Sequence, residues 1–484
     1  MNNYRILFLP VCLSVSLAAQ DISVDFTKNP DIPLVVANPS TGRTLFFFYP
    51  EKLRSDDFEK DGNSCRAYEL NSATLEVMRS SPELALHIPG GNELDIRVLG
   101  RFCRGADYYL VLENNNEIQV LRIAGKDLTM QRTDTYQVDE TDRVIQGTAD
   151  SSNAYVLCSQ KVKKGDDLLL VFRVDENGKL EKHVFPVGEK HEKTVSNMLK
   201  GNFRPLSVEY GIEKDPELAS KKAKLFAVGG QLLVTFDYAR EKLNAGGPDV
   251  PVLGVVAFDL AAEKISYRTF PYADNLIADP AREARNSFIF EEKIFQLYLD
   301  SEQFLLRVRD LQSGESLFSK ILMREDTIAG IANSPILVPG GGIFGVEKEY
   351  RSVGRFARRF ARFDPFMQVR RVGNDYLMCI GGHEEVNQQS FGTLNPATGM
   401  MSPGGWYGSY ERSFSFYSAI DARTMTRSDV FFKKTVSGAY FNLVNVIVPP
   451  RDHGLFRVGE RFFLGYHDKG ARTYRLKELK VEMR

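Results

Sequence analysis

One pattern recurs along this chain of 484 residues: a short apolar strand, a tight turn and a second, more strongly apolar strand. Runs of β-branched and aromatic residues bounded by Gly, Asn and Asp are typical of β-hairpins. A clear copy reads LFAVGGQLLVTFD. The seven copies lie at 33–50, 97–113, 143–159, 225–237, 287–300, 367–380 and 455–468. A repeated hairpin predicts a repeat protein, because one hairpin alone cannot bury its apolar face.

A second hairpin follows most copies of the first. These second hairpins lie at 68–78, 121–133, 172–185, 257–270, 308–321 and 419–432. In all but the copy at 121–133, the first strand ends in an acidic residue. These acids are Glu69, Asp175, Asp259, Asp310 and Asp421. We expect their carboxylates to accept backbone N–H groups in Asx-type turns.

Two hairpins per unit, repeated seven times, resemble the four-stranded blades of a β-propeller. The predicted fold is therefore all-β, a seven-bladed propeller. Six or eight blades are the alternatives, because 334–365 could form a degenerate eighth blade. The resemblance is to the architecture and not to a characterised family. YLMCIGG at 376–382 is Kelch-like but occurs once, Trp406 is the only tryptophan, and no blade ends in Trp-Asp as in WD40 repeats.

The chain also shows how the ring would close and where its insertions lie. ISVDF at 22–26 is expected to supply the outer strand that the last blade lacks.

The long insertions recur at two kinds of connection. If the four strands of a blade are named a to d in chain order, the insertions fall between b and c or between d and the a strand of the next blade. They lie at 50–64, 238–250 and 382–413, and at 188–221 and 324–365. Both kinds of connection open on one face, where repeat proteins usually bind.

The first 19 residues have the pattern of a secretory signal peptide. Arg5 precedes an apolar run from Ile6 to Leu17, and Ala18 and Ala19 are small residues before Gln20. The run is too short to span a membrane, and no later stretch is long and apolar enough, so we expect no transmembrane segment. The prediction is cleavage after Ala19, a secreted or periplasmic location, and a single propeller domain over 20–484.

The charge balance of the chain argues against one class of function. The chain has 62 Lys and Arg against 63 Asp and Glu, which argues against nucleic-acid binding through a global basic field.

Four cysteines lie outside the signal segment, namely Cys65, Cys103, Cys158 and Cys379, and none forms a CxxC pair. We expect buried free thiols, with one disulfide as the alternative, and a monomeric protein.

No sequence motif predicts a metal or a cofactor. The acidic loop from Asp57 to Gly62 resembles the start of a Ca²⁺ loop, but Tyr68 stands where the bidentate Glu belongs. His383-Glu384-Glu385 resembles a zincin motif, but Asn387 replaces the second His. We therefore expect neither a metal nor a cofactor.

Two segments carry candidate binding residues. In 351–363, Phe356, Phe360 and Phe363 recur at helical spacing and predict one apolar face, with arginines on the other. The candidates there are Arg355, Arg358, Arg359 and Arg362, because Arg binds carboxylates and phosphates in a bidentate manner. Within the 382–413 insertion the candidates are Trp406, Tyr407 and His383, because exposed aromatic rings stack on sugars and recur at binding hot spots.

Two classes of function fit these features. The first is an exported binding or scaffold module that contacts a protein or a glycan through its insertion-bearing face. The alternative is a carbohydrate-active enzyme, a glycoside hydrolase or lyase, with carboxylates gathered at the central channel. Hydrolysis would require two carboxyl groups about 5–10 Å apart, on different blades, and a sequence cannot show that spacing.

Overall fold

A computed structural model of the chain underlies the description of its fold. It describes residues 20–22, 33–48, 52–53, 64–82, 84–85, 94–114, 117–162, 167–187, 203–209, 214–242, 249–272, 283–338, 348–389, 406–433, 435–436, 453–459, 461–468 and 473–479. Residues 1–19 and the acidic loop at 57–62 lie outside this set. Among the described residues, no helix has the length and apolar character needed to cross a bilayer.

The chain forms seven blades, each built of antiparallel strands, arranged in a ring as a β-propeller. The first strand is β1 (Gln20–Ile22). Blade 1 and its connections contain β2 (Leu34–Asn38), β3 (Arg43–Phe48), β4 (Lys52–Leu53), β5 (Ser64–Asn71), β6 (Val77–Ser80), β7 (Leu84–Ala85) and β8 (Leu94–Asp95). Blade 2 contains β9 (Arg97–Arg104), β10 (Asp107–Asn114), β11 (Glu117–Ile123) and β12 (Met130–Gln137). Blade 3 contains β13 (Asp142–Ala149), β14 (Ala154–Gln160), β15 (Leu168–Val174) and β16 (Leu180–Pro186).

The remaining elements complete the ring. Blade 4 and the segment before it contain β17 (Leu206–Val208), α1 (Pro216–Ala219), β18 (Ala223–Val228), β19 (Gln231–Phe236), β20 (Arg240–Lys242), β21 (Asp249–Asp259) and β22 (Lys264–Pro271). Blade 5 contains β23 (Ala284–Phe290), β24 (Lys293–Leu299), β25 (Gln303–Asp310) and β26 (Ser316–Met323). A 3₁₀ turn (Ile328–Gly330), β27 (Leu337–Val338), β28 (Lys348–Glu349) and α2 (Val353–Phe360) follow. Blade 6 contains β29 (Asp364–Val372), β30 (Asp375–Gln389) and β31 (Trp406–Asp421), and blade 7 contains β32 (His453–Val458), β33 (Arg461–Asp468) and β34 (Thr473–Leu479).

The seven-blade prediction is confirmed. Each of the seven sequence hairpins forms the two innermost strands of one blade. The alternative of an eighth blade is wrong, because the described part of 334–365 before β29 forms only the two-residue pairing of β27 with β28 and the helix α2, which packs on blades 5 and 6. Its aromatic side chains supply the reason. Phe356, Phe360 and Phe363 are buried against blades 5 and 6.

The predicted closure of the ring is also confirmed, with a small shift along the chain. β1 pairs antiparallel with β34, the last strand, so that Gln20 lies opposite Leu476 and Ile22 opposite Tyr474. The strand begins two residues before the ISVDF segment; Ile22 is the residue of that segment that the structure describes, and 23–26 lie outside the described residues. Blade 7 therefore takes three strands from the end of the chain and its fourth from the beginning.

Four of the five predicted turn acids accept backbone N–H groups as expected. They are Asp175, Asp259, Asp310 and Asp421. The prediction for Glu69 is wrong. Its carboxylate is buried, accepts from Arg79 Nε at 2.9 Å, and accepts from the Tyr108 hydroxyl of blade 2 at 3.0 Å. Asn71 makes the turn in its place, accepting from the amides of Ala73 and Thr74. Glu69 therefore links two blades.

Blade 6 departs from the predicted pattern at its outer edge. The prediction of a second hairpin at 419–432 is wrong. After the turn that follows β31 the chain does not form a paired strand, and a single bridge joins Ile420 to Arg427. The side chain of Asn333, from the segment before the blade, accepts from the Ala419 amide at 2.9 Å. It also donates to the carbonyls of Ser428 and Val430, both at 2.7 Å. Asn333 thus occupies part of the position of a fourth strand.

A buried lysine joins three blades near the channel. Lys224 of β18 is fully buried, and its ammonium donates to Asp237 Oδ2 at 3.1 Å, Asn286 Oδ1 at 3.0 Å and the Ser287 carbonyl at 2.8 Å. Asn286 in turn donates to the Pro365 carbonyl of blade 6. Every ammonium proton of Lys224 therefore has an acceptor.

The cysteines agree with the expectation of free thiols. No disulfide joins the described cysteines; Cys65, Cys158 and Cys379 are buried on strands, and Cys103 is partly buried. Burial raises the pKa of the Cys65 and Cys158 thiols, so these two stay protonated at neutral pH.

Candidate binding face

The two kinds of long connection open on the same side of the disc. In an antiparallel blade the a and c strands run one way and b and d the other, so b–c and d–a connections lie at one end. Blade 1 provides a direct example. β4 belongs to its b–c connection and β8 to the connection before blade 2, and the two pair with each other. We call this side the insertion face.

The most prominent feature of this face is a two-stranded extension of blade 6. β30 and β31 pair from Asp375 and Asp421 as far as Gln389 and Trp406. β29 leaves the sheet at the pair of Asp364 with His383. Beyond that point, within the described residues, β30 pairs with β31 alone. We call residues 384–389 and 406–412 the ribbon. The described parts of the 382–413 insertion are thus paired strands, whereas a loop was expected.

Two of the predicted aromatic residues lie at the far end of the ribbon. Trp406 is paired with Gln389, and the register shifts between Gln388 and Gln389, so that Tyr407 is the extra residue of a β-bulge. Bulges redirect side chains and are frequent near functional sites. The side chains of Trp406 and Tyr407 lie outside the described part of the structure, so their role in binding stays a prediction.

The base of the ribbon contains His383 in a buried position. Its side chain is 5% exposed, and Nδ1 has no hydrogen-bond partner among the described residues. Ser413 lies directly opposite on β31, and its buried Oγ likewise bonds to no described group. Next to them, Glu384 and Arg412 form an ion pair at 2.6 Å across the ribbon. His383 therefore belongs to the foot of the ribbon and not to its exposed part.

The predicted amphipathic helix is confirmed as α2, and it packs against the same hairpin. The rings of Phe356, Phe360 and Phe363 lie 5.8, 5.5 and 5.1 Å from the ring of Phe414 on β31. The structure thus brings together the two segments that the sequence singled out separately.

The predicted arginines of this helix divide into two groups. Arg355, Arg358 and Arg362 are exposed, and no described carboxylate pairs with them. Arg359 is half-buried and places its guanidinium 5.3 Å from the centre of the Phe363 ring. Three exposed arginines with no carboxylate partner among the described residues therefore lie on the insertion face beside the ribbon, and the fourth arginine helps to pack the helix.

Sequence reasoning missed two described stretches that lie against the inner strands of blades 3, 4 and 6. We call residues 203–209 and 214–222 the channel segment. β17 pairs in parallel with β18, the innermost strand of blade 4. Thr148 of blade 3 donates to the Val208 carbonyl at 2.8 Å. On the far side, Gln368 of blade 6 bonds both backbone groups of Lys214, at 2.7 and 2.8 Å. The only local signal is the short strand-like run at 206–208 inside the insertion.

A buried carboxylate of the channel segment forms ion pairs with two cations. Glu209 is 7% exposed and pairs with Arg101 of blade 2 at 3.2 Å and with Lys214 at 3.4 Å. Burial by itself raises the pKa of the Glu209 carboxyl, but the two cations outweigh it and hold that pKa below its usual range. Glu209 is thus an ionised, paired carboxylate, unlike a general acid, whose pKa must be raised. Among the described residues, no group of three or more His, Cys, Asp or Glu could hold a metal ion.

No protein-family model and no curated protein sequence matches the chain. Similar solved structures include the Dos1 propeller, at 10% identity and a TM-score of 0.34, covering 83% of this chain and 95% of that one. An oligogalacturonate lyase in complex with manganese is 12% identical, with a TM-score of 0.37 and coverage of 93% and 90%. The WD40 domain of SCAP from fission yeast is 10% identical, with a TM-score of 0.30 and coverage of 94% and 84%. Likenesses this distant carry no argument about function.

Proposed function

We propose that this propeller is an exported binding module that docks an extended, acidic protein segment on its insertion face. The observation that carries the proposal is the ribbon, which continues past its blade beside three unpaired arginines. The ribbon and α2 form the contact surface, and the rest of the ring serves as a rigid support.

The ribbon supports a polypeptide partner because it offers backbone groups. Between residues 384 and 389, β30 has lost β29 as a neighbour, so one row of its N–H and C=O groups has no partner among the described strands. Such an edge is a template for the addition of a strand from another chain. The bulge at Tyr407 limits how far an added strand could continue along the other edge.

The arginines support an acidic partner. Arg355 and Arg358 are three residues apart and therefore lie on one side of α2, and Arg362 follows two residues after the helix ends. A guanidinium binds a carboxylate through two parallel hydrogen bonds, which makes this row suited to Asp and Glu side chains.

The carbohydrate-active alternative loses support in the channel. Its mechanism needs carboxylates that are free to act on a substrate, and it needs an open path to them. The channel segment lies against the inner strands of blades 3, 4 and 6, and its buried carboxylate, Glu209, is paired with Arg101 and Lys214.

Replacement of the ribbon tests the proposal. Residues 384–412 are replaced by Asn-Gly, which joins His383 to Ser413 through a two-residue hairpin turn. Because the blade below keeps all its pairings, we expect near-native circular dichroism and melting. Binding to poly-L-glutamate, measured by biolayer interferometry in 50 mM NaCl, should weaken by about tenfold or more, a loss of roughly 1.4 kcal/mol.

A second variant separates charge from backbone recognition. Arg355, Arg358 and Arg362 are changed together to Ser, and the matched control changes three exposed lysines near the opposite face, Lys126, Lys179 and Lys264. The arginine variant should lose poly-L-glutamate binding and its salt dependence, while the control keeps both. If dextran sulfate binds through the arginines and the ribbon has no effect, the partner is an anionic glycan and the protein-segment proposal fails.

Export is the second part of the proposal and has its own test. Cleavage after Ala19 would make Gln20 the first residue of the mature chain, and Gln20 is also the first residue of β1. Intact mass spectrometry of the protein recovered outside the cytoplasm should give a chain that starts at Gln20, within one residue. A product that retains residues 1–19 would contradict export through a cleaved signal peptide.

A further inference from the structure

The outer strand of the blade 6 hairpin shows which way its backbone groups face. The Tyr417 amide donates to the Ser334 hydroxyl at 2.8 Å, and the Tyr417 carbonyl accepts from the Asn333 amide at 2.6 Å. The Ala419 amide donates to the Asn333 side chain, and the Ala419 carbonyl accepts from the Ser428 amide, both at 2.9 Å. These two residues of β31 therefore turn their N–H and C=O groups away from β30. In an antiparallel pair, the residues directly opposite them do the same on the other side.

This alternation identifies the backbone groups at the open edge of the ribbon. Cys379 lies opposite Tyr417, so its N–H and C=O groups face β29. Every second residue of β30 faces that way, which includes His383, Glu385 and Asn387. β29 pairs no further than His383. Glu385 and Asn387 therefore direct their backbone groups to a line that no described strand fills, which we call the open position.

The open position begins where the chain passes from α2 into β29. α2 ends at Phe360, Arg362 follows, and β29 begins at Asp364. A strand in the open position that runs antiparallel to β30 has the direction of β29, so its C-terminal end lies next to Asp364 and beside Arg362. In the opposite direction, its N-terminal end would lie there.

The charge at this end of the open position is positive. The last turn of α2 contains Arg358 and Arg359, the helix contains no acidic residue, and Arg362 follows it. The helix dipole places only about half a negative charge at a helix C-terminus, which these arginines exceed. On the same face of the ribbon, the Glu384 carboxylate is paired with Arg412 at 2.6 Å.

The two other acidic residues near the open position lie on the opposite face of the sheet. Asp364 is directly opposite His383 and shares its face, and Glu385 lies two residues along the same strand and shares it too. Phe414, which packs against α2, is opposite the residue that precedes His383 and therefore lies on the other face. The arginine side of the open position thus keeps its positive charge.

We propose that the open position receives the free C-terminal tail of a partner protein as a strand antiparallel to β30. This inference rests on the proposed function and specifies its partner. The tail pairs with the backbone groups of Glu385 and Asn387, and its terminal carboxylate lies beside Arg362. A guanidinium binds a carboxylate through two parallel hydrogen bonds. The terminal carboxylate distinguishes a tail from an internal acidic segment, and its charge selects the antiparallel direction.

Three peptides test this inference on the full chain. The first is Val-Glu-Val-Glu-Val with a free C-terminal carboxylate, immobilised through an N-terminal biotin. With its last Val opposite Glu385, both Glu side chains lie on the face of α2. The second peptide is its C-terminal amide, and the third is an amide with one more Glu at the N-terminus, which restores the net charge. Because the terminal carboxylate adds charge-assisted hydrogen bonds, the first should bind about tenfold more tightly than either amide in biolayer interferometry.

Two arginine variants locate the carboxylate. Arg362→Ser should reduce the preference for the free acid over the charge-matched amide from about tenfold to about twofold or less. Arg355→Ser is the matched change at the other end of α2. It should weaken the binding of all three peptides alike and leave the preference as it was. A preference that survives Arg362→Ser would overturn the placement of the carboxylate and with it the inference.

A proline variant tests the backbone pairing. The N–H of Glu385 faces the open position, so Glu385→Pro removes it without breaking a bond between β30 and β31, and the fold should remain near-native. All three peptides should then lose binding, whereas Glu385→Ala should keep it. Equal binding of the free acid and the charge-matched amide, lost in Glu385→Pro, would leave the proposed function standing and overturn the C-terminal inference. If none of the peptides binds, the proposed function fails together with the inference.

Discussion

Replacement of Lys224 by Met is expected to lower the free energy of unfolding by about 3–5 kcal/mol. Met keeps most of the volume and the unbranched shape of Lys, so packing changes little. The loss comes from Asp237, whose buried carboxylate would keep the Tyr272 hydroxyl as a donor but lose the cation at 3.1 Å. Asn286 Oδ1 and the Ser287 carbonyl would lose the same donor. Urea unfolding followed by far-UV circular dichroism measures the change.

Two further variants isolate the cause of this effect. Lys222→Met makes the same substitution two residues earlier, at an exposed side chain, and should change stability by no more than about 0.5 kcal/mol. Lys224→Met combined with Asp237→Asn removes both charges and should recover part of the loss. Equal stabilities of Lys224→Met and Lys222→Met would show that the buried pair contributes nothing to holding blades 4, 5 and 6 together.

Asn333→Ala is the second change with a large expected effect. Its side chain serves three backbone groups at once, namely the amide of Ala419 and the carbonyls of Ser428 and Val430. Each buried backbone group left without a partner costs about 1–3 kcal/mol, so a loss of about 3 kcal/mol or more is expected. Since these groups lie at the outer edge of blade 6, the damage should be local at first.

Hydrogen exchange can separate local from global damage. The Ala419 amide should lose protection in Asn333→Ala, while the amides of blade 2 keep theirs. Ser334→Ala is the matched control, because the Ser334 hydroxyl accepts one amide, that of Tyr417 at 2.8 Å. Its effect should be about 1 kcal/mol. A similar effect for both variants would mean that Asn333 does not replace a fourth strand.

The elements that the sequence predicted well are those set by local patterns. Alternation of apolar residues and tight turns located all seven inner hairpins, since each pattern is complete within about fifteen residues. The spacing of Phe356, Phe360 and Phe363 likewise predicted the buried face of α2. The turn acids followed from the short range of Asx hydrogen bonds, and Asp421 is an example.

The elements that the sequence did not predict depend on contacts between residues far apart in the chain. Glu69 resembles a turn acid until Tyr108 of the neighbouring blade is seen to donate to it, beside Arg79 of its own blade. The outer edge of blade 6 is taken by Asn333, which lies some ninety residues from the groups that it binds. Inspection of residues 419–432 alone could not reveal that competition.

The same dependence on distant contacts explains why the sequence predicted only part of the candidate site. The sequence identified α2 and the hairpin of blade 6, but not their contact through Phe414. It also treated the 188–221 insertion as surface decoration, because a run as short as 206–208 does not reveal a parallel pairing inside the channel. Whether a side chain such as Arg359 is free or packed depends on that tertiary context.

The pairing of β1 with β34 has a consequence for the time course of assembly. β1 is the first of these strands to be synthesised and β34 the last, so their contact joins residues separated by almost the whole chain. Blades 1 to 6 can form one after another as their hairpins emerge, but the seventh must wait for β34. Until then both ends of the open ring carry unpaired strand edges, which expose the nascent chain to aggregation. Ring closure should therefore be a late step, slowed by the loop entropy of a very long-range contact.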